Sequence, residues 1–351
     1  MNYKITGTGS YIPDKIVKNK YFKKNLFLDY DGSKYDLSNS DIIDKFESIT
    51  GIQERRYINN KMTTSDIATI ASEIAIKDAD LNKEELDYII FAHNFGDVEY
   101  GSNQSKMLPS LASKVKANLK INNPSCVCYD LIFGCPGWVE GLIHSLAFMK
   151  SGIASRCLVI GSETLSRVVD NHDRDSMIYS DGAGATILEK VEESGGIIYH
   201  KSSTFTNSDE INFLTVEKSY QIENKNQFIK MKGRKVYEFA LRNVPLAMKT
   251  CLDKSDVNIN QVKKIFIHQA NKKMDHAILN RFYKLYNTIP PKGVMPMLIE
   301  FLGNSSVATI PTLYDQVLRN KLKDHFLSKG DIILFASVGA GMNVNAITYQ
   351  V

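Results

Sequence analysis

The sharpest chemical feature of the sequence is the window Asp130-Leu131-Ile132-Phe133-Gly134-Cys135-Pro136-Gly137-Trp138-Val139-Glu140-Gly141-Leu142. An apolar, strand-like run reaches Gly134, Cys135 stands immediately before Pro136, and a helical pattern continues to about Lys150. Proline suits the first position of a helix, so Cys135 falls at or beside the N-cap. Unpaired backbone N–H groups and the positive end of the helix dipole favour a thiolate there, and the flanking glycines let a ligand approach the backbone closely. The plainer reading of the same residue is a buried structural cysteine. Cys126, Cys128, Cys157 and Cys251 lie in apolar or helical surroundings and read as inert.

A nucleophilic thiol needs a partner. His268 closes the apolar run Val262–Ile267 and opens Gln269-Ala270-Asn271, at the carboxyl end of a strand, where α/β proteins bind ligands. His93 closes the run Leu86–Ala92 in the same way, so position alone does not separate the two. His144, His172, His200, His276 and His325 carry no second feature. In Leu302-Gly303-Asn304-Ser305-Ser306-Val307-Ala308-Thr309-Ile310-Pro311, Asn304 fits either a helix N-cap or the amide donor of an active site. The turn Val338-Gly339-Ala340-Gly341-Met342-Asn343 ends a strand and can offer backbone N–H groups to an oxyanion. It is not a phosphate loop, because no Gly-Lys-Ser/Thr follows. Ser180-Asp181-Gly182-Ala183-Gly184-Ala185 likewise lacks the strand-before, helix-after setting of a dinucleotide site.

These residues must be positioned by an α/β framework, since short runs rich in Ile, Val, Phe and Tyr alternate with longer helical stretches. Helices expected across Ser65–Asp80 and Lys235–Asp253 each lead through a polar turn into a buried strand ending in His, at His93 and His268. Further along, Cys157–Ser162 and Asp331–Ser337 each read as a strand closing into a small-residue turn. Two such correspondences in the same order indicate an internal duplication, with a first half at 1–190 and a second at 191–351. The period is far too long for a solenoid. The polar segment Glu217–Asn226 reads as a surface loop.

The chain has 351 residues, about two domains' worth, with a net charge of +4 and 43% hydrophobic residues. That composition excludes a disordered chain, a collagen and a coiled coil, and gives no argument for a nucleic-acid partner. Five cysteines without a CxxC pair point to free thiols in a reducing compartment. With neither a secretory h-region nor an apolar run of membrane-spanning length, the expected location is cytoplasmic, with no membrane partner.

Taken together, the motifs resemble the β-ketoacyl-acyl-carrier-protein synthase III family of the thiolase superfamily. The resemblance runs from Gly7–Pro13 and Thr50–Arg56 through Asp130–Gly137, Ser180–Ala185 and Met231–Val236 to His268–Asn271, Gly303–Pro311 and Gly339–Gly341. It implies a thiolase-like duplicated α/β/α/β/α five-layer sandwich and a Cys-His-Asn triad carried onto Cys135, His268 and Asn304, with His93 a bystander. It further implies a homodimer in which Leu108 lines the neighbouring subunit's acyl pocket, and no metal or redox cofactor. The implied reaction begins with attack of Cys135 on an acyl thioester, acyl-CoA or acyl-acyl-carrier protein, with the oxyanion on the N–H groups of Cys135 and Gly341. A malonyl thioester then loses CO2, His268 and Asn304 hold the enolate oxygen, and the enolate attacks the acyl-Cys.

The sequence also departs from the family. Where the housekeeping enzymes place an aromatic residue and an Arg that clamp the CoA nucleotide, this chain offers Lys45 and Ile49, with Phe46 adjacent. A carrier-bound or unusual thioester and a specialised pathway are therefore expected. Transfer of the acyl group to an amine or hydroxyl is the second reading, and a non-catalytic partner subunit a remote third. Trp138 and Glu140 are expected near the pocket mouth, with Glu140 and His144 a surface pair on one helix face. A basic cluster of Lys230, Lys232, Arg234 and Lys235 with Lys272 and Lys273 suits an acidic carrier protein or CoA phosphates, or is simply a solvated face.

Overall fold

The computed structural model describes residues 1–207 and 209–351. In chain order, the strands of its two large sheets are β1 (Asn2–Tyr11), β2 (Tyr88–Ala92), β3 (Val127–Leu131), β4 (Arg156–Thr164), β5 (Asp181–Val191), β6 (Gly196–Thr204), β7 (Val262–Ile267), β8 (Ile332–Gly339) and β9 (Asn343–Gln350). The longer helices are α1 (Asn39–Thr50), α2 (Thr64–Asp78), α3 (Leu111–Asn118), α4 (Gly137–Lys150), α5 (Gly233–Asp253), α6 (Lys272–Lys284) and α7 (Thr309–Leu318).

The first sheet has the order β1-β5-β4-β2-β3 and the second the order β6-β9-β8-β7. In each, the first two pairings are antiparallel and the next is parallel, so β1, β5, β4 and β2 correspond to β6, β9, β8 and β7. Only β3, added in parallel at the open edge of the first sheet, has no counterpart. The crossing from one unit to the other is the short Glu192–Gly195 connection between β5 and β6.

Helices fill the three remaining layers. α2 and α3 cover the outer face of the first sheet, α5 covers the outer face of the second with α6 packed against it, and α4 and α7 touch both sheets. A strand covered on both faces reads as a continuous apolar run, as in Cys157–Ile160 of β4, all fully buried. A helix held between two sheets is buried on every side, and α4 is buried from Gly137 to Ile143. Gly141 permits the close approach, because a Cβ there would lie 2.7 Å from a Val159 methyl.

That burial corrects two expectations for α4. Trp138 is not at a pocket mouth: it lies in the central layer, edge-on to Phe335 at 5.5 Å. Glu140 is not a surface partner of His144, since its Oε2 accepts from Ser202 Oγ at 2.6 Å and Asn345 Nδ2 at 3.1 Å. His144 instead lies 3.2 Å from the Tyr129 hydroxyl. The expected loop at Glu217–Asn226 is the tip of a hairpin pairing Leu214–Lys218 with Gln227–Met231. Among the described residues no helix is long and apolar enough to cross a membrane.

Candidate active site

Cys135 stands where the first unit meets the second. The chain leaves β3, turns at Gly134 (φ +68°) and enters α4 with Pro136 as its cap. The turn after β8 crosses directly over it. A Cβ on Gly134 would lie 2.6 Å from the Ala340 nitrogen, and one on Gly339 would lie 2.5 Å from the Cys135 nitrogen. Glycine is required at both places for two backbones to approach so closely. Asn345 Nδ2 donates to Pro136 O at 3.0 Å and ties the start of α4 to β9.

His268 follows the last residue of β7, and its backbone N–H donates to Ala336 O at 2.9 Å, continuing the ladder with β8. Asn271 then caps α6 by accepting from Met274 N, so the His-Gln-Ala-Asn segment is a fixed strand-to-helix turn. His268 Nδ1 is buried without a partner, which leaves Nε2 to face the cavity. Burial alone pulls its imidazole down to about 4, so the ring is neutral at physiological pH.

Asn304 is held between Ile178 O, to which its N–H donates, and Ser180 N, which donates to its carbonyl, both at 2.9 Å. Its Oδ1 accepts from Ser306 N at 2.8 Å, which leaves the NH2 end of the amide free to donate. The residue therefore makes a cap-like local bond and lines the cavity as well.

Cys135, His268 and Asn304 open into one cavity of about 230 Å³, whose other walls are chiefly apolar and include Leu165, Ile229, Met231, Val236 and Met342. The hairpin thus contributes wall residues that its polar sequence did not reveal. Ser306 Oγ donates to Cys135 Sγ at 3.2 Å. The thiol opens on the cavity floor but is otherwise enclosed. Burial pushes it up to about 11, with the Ser306 hydroxyl and its own backbone N–H pulling the other way. Desolvation outweighs both of these pulls, so Cys135 rests as a thiol and not as the thiolate that its place before a helix favours.

A second cavity of about 400 Å³ adjoins the first, sharing Met231, Val236, Ala270 and Met274 with it and leading outward past Lys45, Ile49 and Arg234. The remaining sequence-derived positions lie away from the thiol. Lys232 pairs with Asp209 at 3.1 Å, Lys272 pairs with Glu300 at 3.3 Å, and Lys273 borders neither of the two cavities. Lys230 does not belong to a surface cluster: it is buried between Asp170 (2.7 Å) and Asp173 (3.1 Å) and fixes the hairpin to the site wall. Leu108 is 92% exposed and borders neither cavity of its own chain. Gly341 lies one residue beyond the wall, its α-carbon turned toward Asn343, whereas Ala340 lines the cavity. His93, fully buried, has Nε2 3.0 Å from Asp130 and Nδ1 accepting from Gly96 N, away from the thiol.

Residues 129–206 match the family model of 3-oxoacyl-(acyl-carrier-protein, ACP) synthase III, and residues 252–351 match the model of its C-terminal part. A β-ketoacyl-(acyl-carrier-protein) synthase III of Prochlorococcus marinus (strain NATL2A) is 32% identical, the alignment covering 98% of this chain and 94% of that one. The chain belongs to the 3-oxoacyl-ACP synthase III family. The synthase III of Vesicomyosocius okutanii (strain HA) is 30% identical over 99% of this chain and 98% of its own. The crystal structure of the Aquifex aeolicus VF5 synthase III superposes with a TM-score of 0.82 at 29% identity, covering both chains completely. The five-layer architecture is that of this family.

Asn94, Glu163, Ser306 and Ala340 also belong to the site and carry no individual signal in the sequence. Ser306 and Ala340 lie inside motifs already quoted, while Asn94 follows strand β2 and Glu163 is the penultimate residue of β4, at the same end of the sheet as the thiol.

Proposed function

We propose that this chain forms an acyl-enzyme on Cys135 from an acyl thioester and condenses it with a malonyl thioester, with loss of CO2, to a 3-oxoacyl thioester. The single observation that carries the reading is the convergence of Cys135, His268 and Asn304, from both halves of the chain, on one apolar cavity. Family membership supports the same reaction.

The neutral His268 imidazole is suited to take up the Cys135 proton as the sulfur attacks the thioester carbonyl. The tetrahedral oxyanion then meets the N–H groups of Cys135 and Ala340, the latter in place of Gly341. The carrier leaves as its thiolate and is protonated by solvent, so the proton stays on His268, and the acyl chain lies against Leu165, Ile229 and Met231. The malonyl thioester enters by the outer cavity. As CO2 departs, the Nε2–H that His268 gained from Cys135 and the Asn304 amide donate to the enolate oxygen, the enolate carbon attacks the acyl-Cys carbonyl, and the expelled Cys135 thiolate takes its proton back from Nε2. The thioesters supply the activation, so the reaction as written calls for no metal or redox cofactor.

Donor class and assembly belong to the same proposal. Lys45 and Ile49 on the outer wall favour a carrier-bound or unusual thioester over a CoA nucleotide clamped in the housekeeping manner. A homodimer is favoured by Ile132, which lines the cavity while 56% exposed beside the open edge of β3, and by the outstretched Leu108. Malonyl-dependent CO2 release by preloaded enzyme tests the condensation. Cys135→Ala is expected to abolish loading; Asn304→Ala loads as the wild type does and His268→Ala loads more slowly but to the same extent, while both slow CO2 release by about 10²–10³, the range for one lost transition-state donor. An acyl-enzyme that passes its acyl group to an amine or hydroxyl without CO2 release contradicts the condensation.

A further inference from the structure

Beside the Cys135 sulfur, in the cavity wall, a chain of polar groups runs from buried Ser306 through half-buried Asn94 to buried Glu163, and the reaction above does not use it. Ser306 Oγ, the donor to Cys135 Sγ, accepts from Asn94 Nδ2 at 3.3 Å. The same amide donates to Glu163 Oε1 at 2.7 Å, and the Asn94 backbone N–H donates to that oxygen at 2.6 Å. Glu163 is fully buried, and its other oxygen, Oε2, has no partner.

Each end of this chain is unfavourable for folding. A buried carboxyl with one unsatisfied oxygen is destabilising. Ser306 has a φ of +52°, in the left-handed region that non-glycine residues enter only under strain. That conformation lets one residue give its backbone N–H to Asn304 Oδ1 and its hydroxyl to Cys135 Sγ. Two destabilising features that converge on one sulfur mark a functional constraint rather than a packing solution.

We propose that Glu163 and Asn94 are positioning residues, which through Ser306 hold a hydroxyl donor on the Cys135 sulfur, and that the charge on Glu163 sets how readily that sulfur ionises. The two influences oppose each other: the Ser306 hydroxyl favours the thiolate and a charged Glu163 disfavours it. Burial pushes Glu163 up to about 7, with His93 pulling it down and Asp181 pushing it up, so its charge changes near neutrality. Asp181 is itself engaged by Ser166 and by the Ile58 N–H. On the cavity side the thiol is faced by Tyr179 and His268. Burial keeps the Tyr179 phenol protonated and the His268 imidazole neutral and raises Asp181 only to about 6, so Glu163 is the charge acting on the thiol that changes near pH 7.

The proposal rests on Cys135 being the acyl-accepting thiol, but its test does not pass through acylation. The rate of alkylation of Cys135 by iodoacetamide is followed by peptide mass across roughly pH 6 to 10, since only the thiolate reacts. Ser306→Gly removes the hydroxyl while allowing the left-handed φ without strain, so the variant folds. Its profile is expected to move to higher pH, with alkylation at pH 8 about tenfold slower, the size of one hydrogen bond to a charged group. Glu163→Gln keeps an oxygen for Asn94 without the charge, and its profile is expected to move to lower pH, with alkylation at pH 8 severalfold faster. A Ser306→Gly profile superimposed on the wild type overturns the proposal, as does a Glu163→Gln shift that is absent or in the same direction as that of Ser306→Gly. Should Glu163→Gln fail to fold, Ser306→Gly decides alone. Shifted profiles in a protein that never acylates overturn the functional reading and leave this one standing; acylation with unshifted profiles does the reverse.

Discussion

Cys135 and His268 are both uncharged in the resting protein, and for the same reason: each is enclosed by apolar walls that disfavour its ionised form. The pair can therefore hand over a proton when the thioester arrives without having to break an ion pair first. For His268 this has a cost in acid. Its native value, about 4, lies below the ordinary 6.5, so below pH 6.5 the unfolded chain takes up a proton that the native chain refuses. Stability is present above that value and is lost as pH falls through the window from 6.5 to about 4, by up to about 3 kcal/mol at about 1.4 kcal/mol per unit. Urea titrations at pH 7 and pH 4.5 are expected to show a clearly smaller acid loss for His268→Gln than for the wild type. Equal losses would place the acid sensitivity elsewhere.

Among the elements, α6 carries an analogous liability of opposite sign. Its start is fixed by the Asn271 cap, yet its first turn buries Asp275 with both carboxyl oxygens unpartnered. Burial raises that carboxyl well above its ordinary range, so the native state keeps a proton that the unfolded chain gives up, and stability falls as pH rises past the usual carboxylate range. Asp275→Asn removes the ionisation and is expected to raise stability at pH 8 by more than about 1 kcal/mol, with a smaller gain at pH 5. Thermal melts at the two values check this, and an equal gain, or a loss at both, would contradict it. Periodicity made several elements legible in the sequence: α2, α4 and α5, and the strands ending before His93 and His268, carry long or strongly apolar patterns. The hairpin of Leu214–Lys218 and Gln227–Met231 was not legible, because five-residue strands with one face in solvent offer too few apolar positions to stand out. Nor could the pattern of α4 place Trp138 and Glu140 inside, since that requires knowing that a sheet lies on either side of the helix.

Over the whole molecule, the two sheets repeat one order of strands, and the site is assembled where their central layer ends. The first half brings Cys135 on the β3–α4 turn; the second brings His268 after β7 and Asn304 ahead of α7, while Ala340 crosses over the thiol from the turn after β8. Those three polar side chains stood out in the sequence because each sits at an element boundary marked by Pro, Gly or a cap residue. Asn94, Glu163 and Ser306 did not, because their role lies in hydrogen bonds between segments far apart in the chain. Gly341 and the basic positions Lys232, Lys272 and Lys273 show the converse, since motif membership alone does not say which neighbour faces the cavity. The most direct test of the central claim is the intact mass of the protein after incubation with a panel of acyl-CoA and acyl-carrier thioesters, for wild type and Cys135→Ala side by side. The account predicts a gain of one acyl group with at least one donor in the wild type and none in Cys135→Ala; an acyl adduct of equal extent in both proteins would contradict it.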